Sequence, residues 1–527
     1  MTLNGEKYTE DKNKIRLLRP NDESLNIIKM INYRKSNKIN SGIFFILAIL
    51  LTIFISCSTH QPDKLPNNYK SLLIYNIRIV DVTNGIIHQN RAIYIERSKI
   101  KLIGHYDDLK HLVRSEFQID GNDKYVIPGL WDMHIHIEGE DLIEDNKALF
   151  PVYIAYGITT VRDMASDLGE QVLQWRDEIN TQKLLGPQIF TAGRKLEGIN
   201  SIWKRDLEIA NDKDLQAMLD TLDNFKVDLI KITENTLPGP LFLKSVSESK
   251  KRGYKVSGHV PHDLTISELI NAGFSSIEHG SYLLRLGMDE KSIVAQIKDN
   301  KISKFRADEI YLNNFDQTTA NKAYTDLAKT KIAVTPTLSG GKQLAYLDEN
   351  DHKNDVFLQY LSQRFIDKYQ WRIDRIANNT PAQKQQTKER YELIAQQLPN
   401  IQKAGITILA GSDAAALNTY VYPALALHEE LILFQKAGLT PLQILQSATI
   451  NGARFMGKEN SMATIDVGKE ADLVILNSNP LLDIKSTQDI FAVFNNGQYF
   501  DRTALDKMLE TARHFKIKLD KQRSEIK

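Results

Sequence analysis

At 527 residues, 42% of them hydrophobic and 25% charged, the chain exceeds what one hydrophobic core usually holds, so two domains are expected, one of which can be an α/β barrel. A formal net charge of +1 supplies no bulk field to recruit nucleic acid, and none is expected as a partner. The single cysteine, Cys57, excludes intramolecular disulfides and multi-thiolate metal sites, so any metal must be held by histidine, carboxylate or modified lysine.

In chain order, Arg34, Lys35 and Lys38 precede a 15-residue apolar run at 42–56, GIFFILAILLTIFIS. That run is short for a transmembrane helix and suits the hydrophobic region of a secretory signal. Ser56 before Cys57 resembles the lipobox of bacterial lipoproteins, in which the cysteine is lipidated and becomes the first residue of the mature protein; Phe54 stands where that motif usually carries leucine. The resemblance implies a leader over 1–57, lipid attachment at Cys57, and an exported lipoprotein anchored in the cell-envelope membrane, with a polar tether over 58–69. An uncleaved anchor would tether the chain as well. A start at Met30 in place of Met1 gives a conventional basic leader, MINYRKSNKINSG.

Short β-branched and aromatic runs at 72–80, 92–96 and 99–104, broken by turn signals such as Asn84-Gly85, read as antiparallel strands, and 471–476 and 491–495 have the same texture. Neither group can bury a core alone, so 70–126 and 459–501 are expected to form one small β-sandwich domain from the two chain ends, followed by a helical tail over 502–527. Between them strands alternate with helical stretches, the pattern of a parallel sheet covered by helices. Eight strands are predicted, at 130–138, 159–164, 188–194, 229–233, 255–260, 275–280, 332–338 and 407–413. Eight closes a (β/α)8 TIM barrel, expected over 127–458 with an insertion at 281–404. Within the insertion, 351–397 suits amphipathic helices lidding the barrel mouth, or a solvated helical insertion without a catalytic role.

The chemistry lies at the strand ends. In LWDMHIHIE, at 130–138, alternation puts Asp132, His134 and His136 on one face, so two imidazoles can serve one metal ion or simply be polar strand positions. Lys231 sits inside the apolar run of VDLIKIT, His259 lies in KVSGHV, His279 in SSIEHG and Asp413 in TILAGSD. Each alone has a structural reading: a snorkelling lysine, core histidines, a helix-capping aspartate. Together and in order they fall at carboxyl ends of barrel strands, where barrel enzymes build active sites.

This ordered set resembles the amidohydrolase superfamily, through PGLWDMHIH at 128–136, VDLIKI at 227–232, His259, IEHG at 277–280, GSD at 411–413 and GKEADLV at 468–474. The resemblance implies that His134, His136 and Asp413 hold one divalent ion, that His259 and His279 hold a second, and that carboxylated Lys231 bridges them. A buried ammonium would be repelled there, whereas a lysine carbamate is an anionic ligand able to span two ions. Zinc is the default for such ligands, and manganese or iron also fits. The implied reaction is cleavage of an amide or dipeptide-like C–N bond by a metal-bridging hydroxide, with Asp413 as the catalytic proton carrier. The chain looks most like the imidazolonepropionase-related branch that includes Xaa-Pro and Xaa-Arg dipeptidases, with Lys231 arguing against mononuclear imidazolonepropionases and deaminases. Arg162, Arg194 and His262 are candidates to grip a substrate carboxylate or, equally, to brace loops. The alternatives are a lactonase or other ester or phosphoester hydrolase, and a non-catalytic scaffold protein, in which metal ligands are expected to be lost.

Overall fold

Two kinds of sheet organise residues 70–526, the part of the chain described by this computed structural model. The 1–57 leader, Cys57 and the 58–69 tether lie outside the described residues. The N-terminal strands are β1 (Ser71–Val80), β2 (Ile87–Glu96), β3 (Lys99–Gly104) and β4 (Gln118–Pro128). Then follow β5 (Leu130–Ile135), β6 (Ile158–Asp163), β7 (Gln188–Thr191), β8 (Leu196–Gly198), β9 (Leu207–Ile209), β10 (Ile230–Ile232), β11 (Val256–Gly258), β12 (Phe274–Glu278), β13 (Ala333–Thr335) and β14 (Thr407–Ile408). The chain ends with β15 (Leu473–Leu476), β16 (Ile490–Asn495), β17 (Gln498–Asp501) and a helix over Arg502–Ile526.

Both chain ends enter one seven-stranded sheet, ordered β17-β16-β15-β4-β1-β2-β3. The expected two facing sheets are therefore a single sheet that rolls up: the Ile100 amide donates to the Lys469 carbonyl at 2.9 Å and the Ala471 amide to the Ser98 carbonyl at 2.7 Å, bringing β3 back to the residues before β15. The expected all-antiparallel pairing also needs correction, because β4 runs parallel to β1, in register Leu73 with Gln118. The chain between β3 and β4, which includes the short helix Tyr106–Leu109, is long enough to carry it back for a parallel return. Strand alternation then sorts side chains: Leu72, Ile74, Ile93, Leu473 and Phe494 share one core, while Leu73 packs with Leu109 and Val113 on the other face.

The remaining strands are parallel and fall into two ladders, β5-β6-β7 and β14-β13-β12-β11-β10-β8-β9. The ladders do not close into a continuous barrel; the Asp228 amide donates to the Thr191 carbonyl at 2.9 Å across one gap, and the Met133, Asp413 and His136 amides bond to the Ala410, His134 and Ala414 carbonyls at 2.8, 2.7 and 2.9 Å across the other. β7 covers the predicted third strand, and the short strands β8 and β9 were not predicted; each predicted strand has its counterpart, most of them shorter: 332–338 reduces to Ala333–Thr335 and 407–413 to Thr407–Ile408. The reason is that several strand ends leave β geometry where the site begins, with His279 at φ 78° and Asp413 at φ 58°.

Helices cover the sheet as the periodicity predicts. In Asp212–Phe225, Leu215, Leu219 and Leu222 form the buried stripe, and the Asn211 side chain caps the first turn by accepting from the Lys213 and Asp214 amides. The insertion supplies Gln363–Lys368, Gln370–Ala377 and Pro381–Ala404, and Ser362 and Arg364 tie it to Asp145, a buried residue of helix Ile143–Ala155.

Candidate metal centre

β5 delivers the first two imidazoles. Asp132, on the same face, accepts from the Ser412 amide at 2.9 Å and its hydroxyl at 2.6 Å, which fastens β5 to the turn after β14. That turn needs Gly411, since a Cβ there would lie 2.8 Å from the His134 nitrogen and 2.6 Å from Thr335 Cγ2. Asp413 follows in the left-handed region, its amide donating to the His134 carbonyl at 2.7 Å. Strained non-glycine backbone of this kind is stored where the surrounding structure aims a side chain. Asp413 Oδ1 accordingly stands 3.3 Å from His134 Nε2 and 3.4 Å from His136 Nε2. Among the described residues these three bring their ligand atoms within 4.8 Å of one another.

β10, β11 and β12 supply the other side. Gly258, just before His259, lets β11 approach β10 so closely that a Cβ would fall 2.0 Å from the Ile232 carbonyl oxygen. His259 Nε2 and His279 Nε2 end 3.2 Å apart, and the His279 ring centroid lies 5.1 Å from that of His134. Lys231 does not snorkel: it is 2% exposed, and its Nζ has no hydrogen-bond partner among the described residues. Burial lowers its pKa to about 8, against the pull of Glu278 and Asp413.

Every imidazole is held from behind. His134 Nδ1 meets Glu278 at 2.8 Å, His136 Nδ1 the Ala165 carbonyl at 2.9 Å, His259 Nδ1 Glu234 at 2.8 Å and His279 Nδ1 the Thr337 hydroxyl at 2.8 Å. The carbonyl and the two carboxylates can only accept, so in the first three rings Nδ1 carries the proton and Nε2 presents its lone pair inward. Burial pulls the His134 pKa down to about 4, keeping that ring neutral, and Asp413 stays well below the usual carboxylate range because His134, His136 and His279 outweigh its burial. Inward lone pairs, an anionic carboxylate and a lysine amine buried without a partner make a donor set that fits divalent cations. Glu234 and Glu278, which set this orientation, were not predicted; no local pattern marks them as partners of distant rings.

The predicted substrate contacts lie elsewhere. Arg162 is fully buried, its Nη2 3.0 Å from both Glu278 carboxylate oxygens and its Nε bonded to the Met133 carbonyl, so it serves the barrel interior and not a ligand. Arg194 faces Glu170 at 3.8 Å and His262 pairs with Asp308 at 3.1 Å; neither lines the cavity over the metal site. That cavity, of about 410 Å³, is walled by Lys195, Trp203, Trp371 and Arg372 as well as by His136, Lys231, His259, His279 and Asp413. Trp203 and Trp371 stand 5.3 Å apart, one from the β8–β9 loop and the other from the insertion. The expectation that 351–397 lids the barrel mouth anticipated the wall at Trp371, and nothing in the sequence marked Trp203.

The Amidohydrolase family profile matches residues 125–499. Ochratoxinase from Aspergillus niger is 22% identical over 456 residues, spanning 81% of this chain and 86% of the fungal protein. Among solved structures, a Xaa-Pro dipeptidase with bound methionine aligns with a TM-score of 0.60 at 20% identity, over 82% of this chain and 100% of its own. The bottromycin amidohydrolase AH aligns with a TM-score of 0.65 at 16% identity, over 87% and 94%. Similarity at this level speaks for a shared fold, and with the family match it implies a TIM-barrel domain for the parallel strands.

Proposed function

The chain belongs to the amidohydrolase family and is a hydrolase of carbon–nitrogen bonds, and from that premise we propose that it cleaves an amide or dipeptide-like bond at a binuclear centre. In this reading His134, His136 and Asp413 hold one divalent ion, His259 and His279 the other, and carboxylated Lys231 lies between them. The observation that carries it is the set of four imidazoles, each tied at Nδ1, gathered in one cavity with Asp413 and with a buried lysine amine that has no partner among the described residues. Zinc is the ion proposed for this mixture of imidazole and carboxylate ligands.

When bound, divalent ions supply acidity that makes water a nucleophile near neutral pH and polarise the scissile carbonyl. The chain's residues do the rest. Asp413 Oδ1 faces the Nε2 lone pairs of His134 and His136 and would hold the ion together with them, leaving Oδ2 to take a proton from the attacking water. As the C–N bond breaks, the same oxygen returns that proton to the departing nitrogen, giving a carboxylic acid and an amine. Glu278 and Glu234 fix the tautomers of His134 and His259, so no ring has to turn during the reaction.

The N-terminal part of the reading is a proposal of the same kind: the basic residues, the apolar run at 42–56 and Cys57 support a lipid-anchored protein of the cell envelope.

Metal analysis combined with a substrate panel tests the catalytic reading. Purified protein is expected to hold about two divalent ions per chain and to hydrolyse members of a panel of dipeptides and N-acyl amino acids in preference to lactones. Lys231→Ala should lose both metal and turnover, with partial recovery in added acetate or formate, whose two oxygens can replace the carbamate. Full metal content and full activity in Lys231→Ala would leave the lysine a merely structural residue, and a lactone-only profile would overturn the amidase reading.

A further inference from the structure

Two cavities meet at the metal centre. The first is the 410 Å³ chamber walled by Trp203 and Trp371; the second, of about 420 Å³, is lined by Leu344, Tyr391 and Ile394 on the other side. Five residues line both: His259, His279, Asp413, Asn418 and Arg372. Three of these are proposed metal ligands and Asn418 lies in the loop after Asp413. Arg372 alone comes from the insertion, on helix Gln370–Ala377.

Its guanidinium lines both cavities beside the proposed ligands and forms no ion pair among the described residues. Arg372 Nη2 donates to Asn418 Oδ1 at 2.6 Å and Nε donates to the Leu417 carbonyl at 3.3 Å, both neutral acceptors. No carboxylate among the described residues ion-pairs with it, whereas two lysines of the same chamber are matched, Lys195 with Asp206 at 2.7 Å and Lys368 with Asp141 at 2.8 Å. Burial pushes the Arg372 pKa down, while the nearby Asp413 charge counters it. With Nε and one Nη2 proton engaged by the loop, the Nη1–Nη2 edge keeps the paired donors that bind a carboxylate bidentately.

We propose that Arg372 is the specificity-determining residue of this site and binds the substrate carboxylate next to the scissile bond, so that the substrates are N-acyl amino acids whose two halves divide between the cavities. The inference rests on the amide-hydrolase reading above. An α-carboxylate is separated from the scissile nitrogen by one carbon, so its cation must stand beside the reacting atoms, where Arg372 shares both cavity walls with Asp413, His259 and His279. A carboxylate at the far end of a longer substrate would instead need a cation at the chamber rim.

The test compares N-acetyl-L-amino acids with the corresponding C-terminal carboxamides on the metal-loaded enzyme, its Arg372→Met variant and its Arg372→Lys variant. The wild type is expected to favour the free acid by roughly 10–100-fold in kcat/KM, the range of a charge-assisted pair. Arg372→Met should bring that ratio close to one, chiefly through a higher KM for the acid, and Arg372→Lys should restore part of it. Equal use of acid and amide by the wild type would overturn the assignment. So would a loss in Arg372→Met that falls on both substrates alike, which is what a brace for Leu417 and Asn418 alone would give. If no pair is hydrolysed, the amidase reading is what has failed, and calorimetric titration with the free L-amino acids still decides on Arg372. Binding weakened at least tenfold in Arg372→Met upholds the carboxylate site, and unchanged binding removes it.

Discussion

Glu278 shows how much of the site lies outside its ligands. One oxygen receives His134 Nδ1 at 2.8 Å, both receive Arg162 Nη2 at 3.0 Å, and Ser276 donates to the carboxylate at 2.5 Å, all with no exposure to solvent. Burial opposes its ionisation, but Arg162 and His134 outweigh that and hold it well below the usual carboxylate range. Glu278→Gln keeps an acceptor for His134 and leaves Arg162 buried without its counter-ion. Metal affinity is expected to fall about 10–100-fold, read by chelator competition, and stability by roughly 3–5 kcal/mol, read by denaturant unfolding. Lost stability with unchanged metal affinity would show that Glu278 serves Arg162 alone. The proposed ligands were legible in the sequence because each sits at a strand end inside an apolar run, where a polar residue is conspicuous. Glu278 stood inside the IEHG motif with nothing to say that its partner is His134, and Arg162 looked like a strand-end cation because sequence does not reveal which way a guanidinium turns.

Elements are joined by contacts that periodicity cannot foresee. His428, in helix Leu425–Ala437, is fully buried and lies between the Tyr156 carbonyl at 2.8 Å and the Thr487 hydroxyl at 3.0 Å, linking the end of helix Ile143–Ala155 to the 3-10 turn Ile484–Gln488. Its Nε2–H must donate to the carbonyl. Burial pulls its pKa down to about 4, so the folded state keeps it neutral while an unfolded chain protonates it near 6.5. The unfolded state therefore binds the extra proton between these values, and stability is fully present above pH 6.5 and lost as pH falls toward 4, by on the order of 3 kcal/mol. Unfolding free energies at pH 7.5 and 5 should differ more for the wild type than for His428→Gln; an equal difference would discard the assignment. The eight strands at 130–138 to 407–413 were legible because alternation of apolar strands with amphipathic helices is repeated along the chain, whereas the three-residue β8 and β9 are too short to show it. Strand length was not, because Gly258, Gly411 and the positive φ of His279 and Asp413 end pairing for the sake of the site. The parallel β1–β4 pair was missed for a related reason: strand texture is the same in either direction.

At the scale of the molecule, the chain ends and the barrel share their packing. Val474, Ile490 and Val493 of the rolled sheet, together with Leu505 of the C-terminal helix, belong to the same apolar cluster as the barrel residues Leu130, Ile158 and Leu427. The first described strand, β1, is the partner of β4, and β4 leads directly through Gly129 into β5 and His134. The sheet's first four strands thus stand in sequence between the proposed anchor and the metal centre, and every proposed ligand falls between His134 and Asp413. Among the described residues no helix is long and apolar enough to cross a membrane. If the chain is tethered, the attachment therefore belongs to the residues before β1 or to another mode of membrane contact, and the motif around Cys57 makes the first case specific. Cys57→Ser is expected to move the protein from the membrane to the soluble fraction, or to leave an unprocessed precursor, while turnover in detergent extracts stays at the wild-type level. Fractionation with metabolic fatty-acid labelling reads both effects. Label that persists in Cys57→Ser would show that the lipid is carried elsewhere, whereas loss of turnover together with the label would mean that catalysis depends on the anchor, which a site whose proposed ligands all lie between His134 and Asp413 gives no physical reason to expect.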